Sequence, residues 1–210
     1  MHKPKLAIAV LALASGGFAA SADVSVVITF GFTDLNASYN QGTGLFSARA
    51  VDTPELRSDG NVSRLITPVG TPAHFAAGFV SGIDPADFML SLAVTNISAL
   101  TADGNGAFLI TDPQGDTIGG QVSGLFVRGN SGNTFFNGDL LNVTLANTSG
   151  DGMFNGATSG AWSMNLGAGP FSGALVQLFT RPSSVGFFTQ DFTGIADLAS
   201  GDIVPAPGAA

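Results

Sequence analysis

The sequence predicts an all-β protein: an antiparallel β-sandwich of jelly-roll type, or an open barrel of about 10–12 strands, preceded by a removable N-terminal signal helix. Three observations carry this. Apolar and polar residues alternate with a period of two through several segments, as in half-buried strands. Glycine, at 29 of 210 residues, gathers with Asn, Asp and Pro into short clusters between those segments, which is turn chemistry. Aspartate, a turn former, supplies all the acidic residues except Glu55, so the charge bias points away from helix.

The chain opens with Lys3 and Lys5, continues as an apolar run over 6–13 and closes on Ala20-Ser21-Ala22. A basic start, a short apolar run and a small-residue cleavage site in that order read as a secretory signal peptide over 1–22, with Asp23 the mature N-terminus. The division expected is signal peptide 1–22, a single β domain 23–195 and a flexible tail 196–210. In the domain the cleanest alternation is Val24, Val26, Ile28, Phe30 and Phe32, followed by a loop over 34–44. Strands are expected at 45–51, 62–67 and 73–80, separated by segments rich in proline and glycine. A central meander spans 86–128. In it Phe88, Leu90, Leu92 and Val94 share one face, Ala102 to Gly106 reads as a turn, and 107–111 as a short strand. Asp112-Pro113-Gln114-Gly115-Asp116 reads as a second turn before a long strand over 117–128. Further strands are expected at 134–146, 160–166, 172–181 and 185–193, with a loop over 147–156.

Composition excludes several functions. Loss of Lys3 and Lys5 with the leader would move the formal charge from −8 to −10 and leave five arginines and no lysine. Such a chain is a poor partner for nucleic acid, which binds positive patches. With no cysteine there is no disulfide, thiolate nucleophile or cysteine metal site, so the core alone must hold the fold. No stretch of the mature chain reads as a membrane-spanning helix.

The residues offer little catalytic chemistry, and the chain reads as a non-enzyme. His74 would be the one histidine left after export, and no Gly-x-Ser-x-Gly elbow is present. Fourteen aspartates make some carboxylate pair unavoidable, and most stand in turns, so a glycoside hydrolase is the weakest reading. Calcium, a hard cation that takes oxygen ligands, is the one cofactor the composition leaves open. Asp112 and Asp116 are its candidate ligands; Asp103 and Asn105, at the opposite end of a strand, should be remote from them. For a sugar ligand, Trp162 and Tyr39 are the candidate stacking residues.

The C-terminal stretch Val204-Pro205-Ala206-Pro207-Gly208, with the leader and the Gly/Asn/Ser/Thr-rich, cysteine-free β region, resembles bacterial exported proteins that carry a PEP-CTERM sorting signal, in a Pro-Ala-Pro variant. In that family an apolar span and a basic tail follow the motif, and an exosortase processes it; neither follows in this sequence. The resemblance implies a bacterial cell-surface protein and a sorting enzyme as partner, and no catalytic residues. Together with the composition it sets the expectation of a secreted or surface-held, non-enzymatic protein with a structural or adhesive role in the extracellular matrix. Its partners would be extracellular polysaccharide or other surface proteins. The alternative is a secreted carbohydrate-binding module.

Overall fold

The computed structural model describes residues 25–76, 87–129, 132–167, 169–182 and 187–206. The signal peptide, the second half of the strand expected at 73–80, the start of the one at 185–193 and the last residues of the tail lie outside the described residues. Within them the protein is all-β, without a helix and with antiparallel pairing throughout.

The strands are β1 Ile28–Thr33, β2 Leu35–Asn40, β3 Leu45–Arg49, β4 Asp59–Arg64, β5 Ala73–Ala76, β6 Phe88–Thr95, β7 Thr101–Thr111, β8 Thr117–Arg128, β9 Thr134–Ala146, β10 Met153–Asn155, β11 Ala161–Ser163, β12 Phe171–Pro182 and β13 Phe192–Pro205. Eight close into a barrel in the order β12-β9-β8-β7-β6-β3-β2-β13, with β13 pairing back onto β12. Strands β1, β4 and β5 extend from β13, and β10 and β11 form a separate hairpin. The branch arises because β1 and β2 are nearly one strand, bent at Asp34, whose φ is 55°. β2 pairs with β13 from Phe192 to Ala196 and β1 with β13 from Ala199 to Ile203, so a single long strand serves two sheets.

Inward positions follow the alternation. In β6, Phe88, Leu90, Leu92 and Val94 are buried. At one end of the barrel Phe30 lies against Phe108 and Phe88, with ring centroids 5.9 and 6.2 Å apart, and Phe32 stacks on Phe88 at 5.0 Å. At the other end Phe126 meets Phe136 at 4.5 Å, Phe188 at 4.8 Å and Phe46 at 5.2 Å. The barrel is therefore a packed aromatic core, as the small bore of eight strands permits. The outer edge of the short β5 is covered by the loop after β10: His74 N–H donates to the Ser159 carbonyl and Thr158 N–H to the His74 carbonyl. This removes an edge that could recruit a foreign strand.

Four sequence expectations are corrected. Ala102 to Gly106 is no turn but the middle of β7; the reversal lies just before it, where the Ser98 hydroxyl accepts the Thr101 N–H at 2.9 Å. Glycines there suit a strand hemmed in on both sides, and they resemble turn glycines when read alone. The loop over 34–44 contains β2, and only 41–44 turn. The strand at 185–193 is replaced by irregular backbone over 187–191, where Phe188, at a φ of 52°, turns into the core. The flexible tail is the largest departure. Residues 196–205 are most of β13, and Ala196, Ala199 and Ile203 are fully buried. The strand is built of small residues because its neighbours supply the bulk: a Cβ at Gly201 would fall 2.5 Å from Phe30 Cζ.

Candidate functional site

The two aspartates expected to bind calcium are instead anchors for the chain. Asp112 and Asp116 are fully buried at the turn joining β7 to β8. One Asp112 oxygen accepts the N–H groups of Gln114 and Asp116 at 2.8 and 2.9 Å; the other accepts the Asn155 N–H at 2.9 Å. Asp116 accepts the Ser149 N–H at 2.7 Å and its hydroxyl at 2.8 Å. These oxygens face N–H and O–H hydrogens rather than converging on an open sphere, and they pin the turn to the β9–β10 loop and to β10. Among the described residues no group of three His, Asp or Glu is placed to hold a metal. Asp103 and Asn105 lie on β7 nine and seven residues before Asp112, about 31 and 24 Å away along the strand at 3.4 Å per residue.

The sugar-stacking candidates are also internal. Trp162, on β11, has no exposed surface, stacks on Phe154 at 5.1 Å, and donates its indole N–H to the Val62 carbonyl at 3.0 Å. Tyr39 is buried between Phe188 and Phe192, and burial together with the Asp191 charge raises its pKa. Neither ring can lie against a sugar, because each already has its faces covered by the core. Trp162→Phe, which keeps the stack but removes the indole hydrogen bond to the Val62 carbonyl, is expected to lower stability by about 1 kcal/mol in urea unfolding. His74 is exposed on β5, and the hydrogen bonds described at it use its backbone.

The outer wall carries the site that the sequence did not announce. An open groove of about 760 Å³ crosses β7, β8, β9 and β12. Its floor is the backbone of Gly124 and Gly138, which stand opposite each other in register, with Gly104 opposite Gly124 on β7. A Cβ at Gly124 would collide with the Asn137 carbonyl, and one at Gly104 would meet the Phe126 and Phe136 rings at 2.7 and 2.8 Å. On one side of the floor the outward row runs Asn105, Ser123, Asp139 and Ala174 across four adjacent strands. On the other stand Asp103, Leu125 and Asn137. The far wall is a β-bulge: the register of β12 slips after Leu175, which leaves Val176 outside the ladder and 49% exposed.

The groove side chains are held in place by one another. Asn96 Nδ2 donates to Asp103 Oδ2 at 2.6 Å, the Ser123 hydroxyl donates to Asn105 Oδ1 at 2.7 Å, and Asn137 Nδ2 donates to the Val176 carbonyl. The Asp139 carboxylate has no hydrogen-bond or ionic partner among the described residues, and neither cations nor aromatic rings line the groove. The arrangement offers fixed acceptors, an amide donor at Asn105 and aliphatic shoulders at Leu125 and Val176.

Sequence reasoning also missed two buried charged groups. Arg64 is 4% exposed and, among the described residues, donates to the carbonyls of Ile66, Ser163, Asn165 and Thr67, so it ties β4 to the segment around β11. Asp87, just before β6, is fully buried with neither oxygen hydrogen-bonded, and burial pushes its pKa up to about 7. Across from it the Thr111 hydroxyl is likewise buried and unpaired, while the Thr111 N–H donates to the Asp87 carbonyl.

Fold and groove together define an all-β barrel protein with a filled interior and a polar groove in its outer wall. No protein-family model, curated protein or solved structure matches the chain.

Proposed function

We propose that this is an exported, non-enzymatic protein of the bacterial surface or extracellular matrix, in which the barrel is a rigid carrier and the outer groove its adhesive face. The observation that carries the reading is the groove: preset polar side chains on the outside of a barrel whose interior is packed with rings. A site built on strands is held more rigidly than one on loops, which suits a contact that must persist. Export rests on the basic, apolar and Ala-Ser-Ala order of the leader, and surface retention on the resemblance of the Pro-Ala-Pro stretch to a sorting signal.

The test is to express the full chain in a bacterial host, fractionate the cells and sequence the N-terminus of the product. A mature form beginning at Asp23, outside the cytoplasm and able to hold cells or matrix polymer to a coated surface, is expected. Retention of the full-length chain inside the cell, or an exported form without adhesion, would sink the reading.

A further inference from the structure

Resting on that adhesive reading, we infer that the groove across β7, β8, β9 and β12 binds a neutral saccharide chain, with Asp139, Asn105 and Ser123 as its polar contacts. The three residues occupy the same register on consecutive strands, so they stand about 4.8 Å apart in a line across the sheet. That spacing lets neighbouring hydroxyls of one sugar ring reach neighbouring side chains.

The chemistry fits a polyhydroxylated ligand better than the alternatives. Asp139, with both oxygens free of partners among the described residues, can accept two hydroxyl protons. Asn105 has its carbonyl oxygen committed to the Ser123 hydroxyl, which fixes its amide group and leaves the N–H bonds to donate to a hydroxyl oxygen. Leu125 and Val176, 42% and 49% exposed and flanking Asn137 on the same side of the row, give apolar surface for the C–H faces of the rings. The bulge in β12 places Val176 there. The floor between the two outward rows is the bare backbone of Gly124 and Gly138, whose side-chain positions face the barrel interior.

Charge selects among saccharides. Two carboxylates line the groove with no cation, and the chain carries no lysine after Lys5, so uronate or sulfated polymers are repelled. A basic protein segment would meet the carboxylates, but it would leave the amides without a purpose and Asp103 already engaged by Asn96.

The experiment is native gel electrophoresis of the full chain through gels containing soluble glucan, mannan or galactan. Retardation by at least one of these is expected, undiminished in about 0.5 M NaCl, where charge pairs are screened within a few ångströms. Asp139→Ala and Asn105→Ala should each weaken it about tenfold or more without changing the melting temperature, since both side chains are exposed. Leu141→Ala, exposed on β9 but outside the groove, should leave it unchanged. No retardation in any gel, retardation that both groove variants retain, or binding only to polylysine and lost in salt would each overturn the assignment. A protein that is exported and adhesive yet unretarded would overturn the saccharide alone and leave the surface role standing.

Discussion

A chain ending at Ile195 is expected not to fold. Nine of the register partners of β12 and all five of β1 on β13 lie at or beyond Ala196. Removing them opens the barrel and leaves backbone N–H and C=O groups of two formerly internal edges without partners. The truncation also removes Ala196, Ala199 and Ile203 from the core and uncovers the rings they cover, and each large apolar side chain uncovered costs about 1.5–3 kcal/mol. Even a fraction of that set exceeds the roughly 5–15 kcal/mol by which a domain is stable. Circular dichroism and amide proton dispersion of the truncated chain should be those of an unfolded protein, whereas a chain ending at Ala206 should fold. A truncated form with the same melting transition would show that the barrel closes without β13.

Asp87→Asn is expected to make the protein more stable at neutral and alkaline pH and to leave it nearly unchanged in acid. Burial without a hydrogen-bonding partner raises the Asp87 pKa to about 7, from the ordinary carboxylate value of 3.8. The folded protein therefore holds the proton where the unfolded chain has released it. Stability from this group is fully present below about pH 4, falls as the pH rises towards 7 and stays low above it. Three units at about 1.4 kcal/mol each set an upper bound of about 4 kcal/mol on the loss. Asparagine keeps the shape and never ionises. Urea unfolding at pH 4, 6 and 8 should show the wild-type protein weakening while the variant stays level. A wild-type midpoint that does not move between pH 4 and 8 would mean that the carboxylate finds a partner on ionising.

The fold was legible wherever a strand announces itself by its own side chains. The alternation over 117–128 matches β8, and the Phe88, Leu90, Leu92, Val94 set is the inner face of β6, because bulky residues on a half-buried strand must repeat every second position. It was illegible where the neighbour supplies the bulk. Ala196, Ala199 and Gly201 in β13 and Gly104 and Gly106 in β7 look like tail and turn residues, yet they are small because rings or backbone of other strands press on them. The site followed the same division. Trp162 and Tyr39 were plausible by residue type and internal in fact. Asp112 and Asp116 were read correctly as turn residues; that their carboxylates are spent on Gln114, Asn155 and Ser149 depends on a hairpin more than thirty residues away.

By itself, the sequence determined the all-β class, the antiparallel meander and the absence of cysteine chemistry, since these depend on residue identity and local periodicity. Tertiary structure alone decided that the barrel closes, that the last strand closes it, and that Asn105, Ser123 and Asp139 share one row over a glycine floor. The reason is physical: register between strands distant in sequence is set by how rings and glycines pack across the sheet, and no single strand carries that information.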